Sequence, residues 1–128
     1  MVVAHICKKA GVNMYNLVYI NTHDTGRMLS PYGVKAPTPN FEKFAEDATL
    51  FTHAYSCGPT CSPSRAAMLT GIYPHQNGML GLAQRGFSLA DPEKHLANYL
   101  RQNGYRTAIS GIQHETGWYL DIHEDALH

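Results

Sequence analysis

A surplus of charge is what this chain most plainly lacks. Its 10 lysine and arginine residues are matched by 10 aspartate and glutamate residues, for a formal net charge of +0. No basic stripe is left over for phosphate contacts, so nucleic acid is not an expected partner. No apolar run approaches the length needed to cross a bilayer, and no membrane partner is expected. Met1 to Tyr15 carries Lys8 and Lys9 but lacks a basic start, an apolar stretch and a small-residue cleavage site in that order. It does not read as a secretory leader, and the compartment stays unknown. The 3 cysteines, Cys7, Cys57 and Cys61, are odd in number and form no disulfide framework. Gly58-Pro59-Thr60 between the last two departs from the C-x-x-C spacing of zinc and redox sites, so Cys57 reads as a small buried residue. Internal repeats, low-complexity tracts and linkers are also missing. What remains is one ordinary domain, 128 residues long and 44% hydrophobic.

Against this background one run stands out: Cys61-Ser62-Pro63-Ser64-Arg65-Ala66-Ala67-Met68-Leu69-Thr70-Gly71. Pro63 suits the first position of a helix, where a missing N–H costs nothing, and Ser62 suits the N-cap before it. Ala66, Ala67, Met68 and Leu69 are strong helix formers, and Gly71 is a natural stop. Cys61 is thereby placed where unpaired backbone N–H groups and the helix dipole favour an anion. Arg65, one turn further on and close to the same face, adds a fixed positive charge with planar donors. This is the outline of a site for a tetrahedral oxyanion.

The run resembles the signature of the type I sulfatases, C-x-P-S-R-x-x-x-L-T-G, and matches it at Cys61, Pro63, Ser64, Arg65, Leu69, Thr70 and Gly71. The following Tyr73-Pro74-His75-Gln76-Asn77-Gly78-Met79-Leu80-Gly81-Leu82 is similar to the same region of the heparan N-sulfatase (sulfamidase) branch. Asn16-Leu17-Val18-Tyr19-Ile20 is similar to the family's first strand, which ends at a metal-binding acid. The resemblance implies an α/β, alkaline phosphatase-like sandwich with a mostly parallel sheet flanked by helices, incomplete in this chain. It places residues 1–128 in the N-terminal part of a sulfatase catalytic domain, with 1–15 as an extension and 116–128 as a tail of open relation. It also implies oxidation of Cys61 to formylglycine by a formylglycine-generating or maturase enzyme. One hydroxyl of the hydrated aldehyde then attacks sulfur, and the other later expels sulfate. The substrate class implied is a sulfated sugar or other sulfated small molecule. Further metal ligands and basic residues of the family lie beyond the equivalent of His114. The 128 residues alone are therefore expected to have little or no turnover.

The residue pattern is strand, helix, strand, helix, helix, strand. Leu17 to Asn21, Leu50 to Tyr55 and Tyr105 to Ser110 are the strand candidates. Asn40 caps a helix with apolar Phe41, Phe44, Ala45 and Ala48 on one face. Asp91-Pro92 opens a helix carrying Leu96, Tyr99 and Leu100 and stopped by Gly104. Strands alternating with helices favour a parallel sheet whose ligands gather at the strands' carboxyl ends. Asp24, Cys61 and His114 each follow a candidate strand and would converge there.

Asp24 reads either as a turn aspartate beside Gly26 or as a hard oxygen ligand for a cation, and the resemblance implies the second. Where the family has two adjacent aspartates, this chain has His23-Asp24, and imidazole suits transition metals better than calcium. The metal set implied is Asp24, Cys61 and His23 with a divalent ion, by family habit Ca2+. Arg65 is implied to hold the modified Cys61 and the oxyanion. His114 matches the histidine of the family's Gly-Lys-x-His, implying contact with the sulfate, while Ile112 stands where the lysine is expected. His75 either touches substrate or orders a turn at Asn77-Gly78. His5, His53, His95, His123 and His128 have no ligand spacing and read as structural or surface residues. Tyr55, Tyr73, Tyr99, Tyr105, Trp118 and Tyr119 read as core or partly buried aromatics. Two other readings stay open: a catalytically incompetent, truncated sulfatase-like module that binds an anion or a partner, and an enzyme in which Cys61 stays a thiol. A homo-oligomer follows if missing elements leave apolar surface exposed.

Overall fold

The computed structural model describes residues 2–5, by backbone alone, and residues 15–115. Readings that fall on Cys7, Trp118, Tyr119, His123, His128 and the 116–128 tail lie outside them. The described residues divide into two compact units, one drawn from Met1–Asn21 and Ser56–His128, the other Thr22–Tyr55.

The first unit holds a three-stranded sheet. β1 (Val2–His5) lies between β2 (Leu17–Tyr19) and β3 (Arg106–Ile109). Val2 sits opposite Tyr19 on one side and Ile109 on the other, and Ala4 opposite Leu17 and Thr107. Both ladders are antiparallel. This corrects the expected mostly parallel sheet among the described residues: β2 and β3 do run the same way, but β1 separates and reverses between them. The β-branched pair Val2-Val3 supplies that middle strand, a short run with none of the length or alternation that marks a strand in sequence. The chain is α/β as expected.

Helix α2 (Cys61–Thr70) organises the rest of this unit. It starts earlier than its sequence suggests. Thr60, in extended conformation, is the N-cap, Cys61 is the first helical residue, and Pro63 lies within the first turn. Ser62 is fully buried and is no cap: its Oγ accepts the Ala83 N–H at 3.1 Å. The other end follows expectation, with Gly71 at φ 69° donating its N–H to Ala67 O at 2.9 Å. Ala66, Met79 and Ala83 form the buried cluster, with Leu89 packed on it.

Behind α2 the chain is knotted down by one side chain. α3 (Pro74–Asn77) ends at the buried Asn77, whose Nδ2 donates to Ile72 O at 3.0 Å and whose Oδ1 accepts the Met79 N–H at 2.8 Å. Its carbonyl accepts the Ala90 N–H at 2.8 Å. Gly78 follows at φ 87°, and a Cβ there would stand 3.0 Å from Ser88 O, so glycine is required twice over. The expected helix after Asp91 is split. Asp91 Oδ1 accepts the Glu93 N–H at 3.1 Å and caps only a 3₁₀ turn, Pro92–Lys94. α4 (Leu96–Gln102) then starts anew, capped by His95.

The second unit is a loop with a 3₁₀ turn, Ser30–Tyr32, and one α-helix, α1 (Pro39–Asp47). Its cap is Thr38 rather than the expected Asn40, because Pro39 is free to open the helix. Ser30 N donates to Thr38 Oγ1 at 3.0 Å and fixes the entry. Leu50 to Tyr55, read as a strand, is irregular and exposed. No other strand stands in this unit to satisfy its N–H and C=O groups, and an unpaired strand has nothing to hold it.

Candidate functional site

α2 turns two unlike faces outward and inward. Ser62, Pro63, Ala66, Ala67 and Leu69 are buried. Cys61, Arg65 and Met68, spaced i, i+4 and i+7, share the other face, which is half-buried to exposed. Cys61 is a free thiol at the head of the helix, beside backbone N–H groups that have no carbonyl to meet. Among the described residues the Arg65 guanidinium makes no hydrogen bond or ion pair. Thiol, helix terminus and cation therefore lie along one open strip, suited to an anion. Just before it, Ser56 Oγ lies 2.7 Å from Ser64 Oγ and donates to Gly58 O at 2.6 Å. That pairing fixes the loop that delivers Cys61, and it gives the signature serine a structural duty. Cys57 is exposed, against the expectation of a small buried residue.

Tyr19, at the end of β2, borders this strip. Its hydroxyl donates to Met68 Sδ. Burial raises its phenol above the ordinary tyrosine value of 10.0; the Arg65 charge opposes the rise and the Glu115 charge adds to it. A single side chain thus senses both the cation on α2 and a carboxylate from the loop after β3. Tyr19 and Glu115 were not singled out in the sequence; Tyr19 is hidden inside an apolar strand run.

His114 lies in that loop. Its backbone is left-handed at φ 60°, which is costly for a residue with a Cβ, and its Nδ1 is buried without a partner among the described residues. Glu115 is 8% exposed; its Oε2 meets His95 Nε2 at 3.2 Å, while Oε1 is likewise unpartnered. Ile112, at the family's lysine position, is 60% exposed and brings no charge. His75 is exposed and stacks on Tyr73 with ring centroids 5.8 Å apart and planes 15° from parallel. Tyr73 and Tyr99, at 59% and 60% exposed, are surface rather than core aromatics, and Tyr55 is more exposed still.

His23 and Asp24 belong to the second unit. His23 Nδ1 and Asp24 Oδ2 lie 3.2 Å apart on side chains that are 62% and 81% exposed, and Asp24 has φ 49°. One carboxylate oxygen beside one imidazole nitrogen fits part of a divalent-cation site. It falls short of the six to eight oxygens calcium takes, and the nitrogen shifts preference toward a transition metal.

A cysteine and an arginine side by side on one open helix face of an α/β unit make a place for an anion. The sulfatase family model matches residues 15–124, and the chain belongs to the sulfatase family. It is 43% identical to human N-sulphoglucosamine sulphohydrolase over 79 residues, 60% of this chain and 16% of that enzyme. It is 36% identical to an ulvan-active sulfatase of Formosa agariphila over 84% of this chain and 20% of the relative. An N-acetylgalactosamine-6-O-sulfatase of Bacteroides thetaiotaomicron shares 35% over 77% of this chain and 20% of its own length. The chain thus spans about a fifth or less of these curated relatives. No solved structure matches it. Among the described residues no helix is long and apolar enough to cross a membrane.

Proposed function

We propose that this chain is the nucleophile-bearing N-terminal part of a sulfatase that hydrolyses a sulfate ester or sulfamate on a sugar, with an alkaline phosphatase-like sandwich as the complete domain. The observation that carries the reading is the open face of α2, where Cys61 and Arg65 stand together inside the matched signature. A formylglycine made from Cys61 by a maturation enzyme would supply the covalent catalyst, splitting one hard displacement into two easier ones. A divalent cation, for which Asp24 and His23 are the donors this chain offers, would supply positive charge against the sulfuryl oxygens.

The chain's own residues have separate tasks. Arg65, on a rigid helix, holds two oxygens of the tetrahedral anion with its planar donors and opposes the charge that grows as the bond to sulfur breaks. The first turn of α2 adds unpaired N–H groups to the same field. His114 handles a proton near neutral pH, on the leaving atom or on the attacking hydroxyl. His75, stacked on Tyr73 at the surface, meets the sugar. The similarity to N-sulphoglucosamine sulphohydrolase favours an amino sugar with an N-linked sulfate.

Sulfate release by the complete gene product, measured on N-sulfated and 6-O-sulfated glucosamine, tests the reading. Release that stops with a chelator and in Cys61→Ala supports it. Inactivation by a thiol alkylator, without need of metal, points to a plain thiol enzyme. The exposed Ile112 in place of a lysine favours a second reading, a module that binds the anion without turnover. Sulfate binding without release would select it.

A further inference from the structure

We propose that His95 and Glu115 are positioning residues, a buried pair that latches the loop after β3 and holds His114 ready for the anionic substrate. The proposal rests on the sulfatase reading above for the role of His114, and on geometry for the latch itself.

The hydrogen-bond network assigns the proton. His95 Nδ1 accepts the Ala97 N–H at 3.1 Å, capping α4, so in the neutral ring the hydrogen sits on Nε2. Nε2 then donates to Glu115 Oε2 at 3.2 Å. The result is a relay from the start of α4 through one imidazole to the loop beyond β3. Its partners are shielded: the two side chains are 20% and 9% exposed. A carboxylate so buried is costly unless bonded, so this contact decides where the loop lies.

The loop needs such a tie. Gly111 at φ 100° and His114 at φ 60° both take left-handed backbone, and only the first is a glycine. The Glu115 N–H donates to Gln113 Oε1, bridging over His114, and the Glu115 side chain is fastened to His95. His114 is therefore clamped from both neighbours in a conformation it would leave if released. Its own Nδ1 and the second Glu115 oxygen are buried and unpartnered among the described residues, so polar capacity remains on His114 beside the latch. Arg65 and Glu115 both act on the Tyr19 phenol, after burial itself, so Tyr19 is the residue that both charges reach.

A pair that only staples α4 to the sheet would act independently of His114, which sets the test. In the complete gene product, turnover of N-sulfated glucosamine is measured for Glu115→Ala, His95→Ala, His114→Ala and the two doubles with His114→Ala. Each latch variant is expected to lower kcat by roughly 10- to 100-fold, the range for residues that orient a site group from behind. Glu115→Gln, whose amide oxygen still accepts from Nε2, is expected to recover most of it. Both losses should vanish in the His114→Ala background. Losses that persist there undiminished would overturn the proposal, as would wild-type kcat in Glu115→Ala. If Glu115→Ala does not fold, His95→Gln carries the same comparison. If the wild type turns nothing over, the sulfatase reading fails by itself. The latch is then judged by the imidazole resonance of His114, assigned by its loss in His114→Ala. A shift in Glu115→Ala and His95→Ala that is largely restored in Glu115→Gln sustains the latch, and an unmoved resonance refutes it.

Discussion

The two faces of α2 do opposite work with the same ten residues. Away from the open face the side-chain oxygens serve the fold: buried Ser62 holds Ala83, and half-buried Thr70 Oγ1 donates back to Ala66 O at 2.6 Å. On the open face, among the described residues, Cys61 and Arg65 make no side-chain hydrogen bond, and Met68 Sδ accepts from the phenol of Tyr19. The family signature spans both faces. On the proposed function its string therefore mixes chemistry, at Cys61 and Arg65, with carpentry, at Pro63, Ser64, Leu69, Thr70 and Gly71. Ser62, which the signature leaves free, is among the most thoroughly used residues of the helix.

That division can be broken or sharpened by mutation. The largest effect is expected at the head of the open face. Cys61→Ala should lower sulfate release by about 10³-fold or more while the melting temperature stays near wild type. Arg65→Met should follow, with a loss of about 10²–10³-fold, and Arg65→Lys should restore only part because a point charge cannot copy planar donors. The buried face should show the reverse. Ser62→Ala strands the buried Ala83 N–H, and Asn77→Ala strands the Met79 N–H. Each should cost about 1–3 kcal/mol in denaturant unfolding and leave turnover per folded molecule unchanged. A loss of kcat without loss of stability in Ser62→Ala would break the comparison.

The smallest effect is a titration. The Tyr19 phenol lies above 10.0, first from burial, with Glu115 raising it and Arg65 lowering it. The neutral form is favoured in the folded state, so its contribution is present below pH 10 and is lost as pH rises through the folded value. Phenolate absorbance, taken as the difference from Tyr19→Phe, should appear at higher pH than for an exposed tyrosine. Arg65→Met should move it further up and Glu115→Gln down. Shifts of the opposite sign would separate the loop after β3 from α2.

Much of this arrangement was legible in the residues because local rules decide it. Gly71 ends α2 as expected, where a left-handed residue is needed and only glycine is cheap, while the turn at Asn77-Gly78 proves to be the end of a short helix, α3, not expected from the residues. β2 and β3 lie inside the runs that β-rich composition marks. What composition could not give is pairing. Leu50 to Tyr55 has a strand's residues but no ladder in its unit, while the short Val2–His5 has one on each side. Capping shows the same limit. Thr60 displaced Ser62 because the serine is recruited by Ala83, a residue 21 positions away. The site divides likewise. Cys61 and Arg65 share a helix, so spacing alone aligns them. His95 and Glu115 meet only after α4 and β3 have folded, and nothing in their spacing announces it. An isolated histidine before a helix could have been weighed as a cap, since its ring nitrogen accepts an N–H as a serine oxygen does.

The most direct test of the account is the mass of the peptide containing Cys61, taken from the natural gene product. An aldehyde at Cys61, with Cys57 unchanged, is the predicted result and means the open face of α2 is built for sulfate transfer. An unmodified thiol in the mature protein would contradict it and leave the same face as a place where an anion binds without being cleaved.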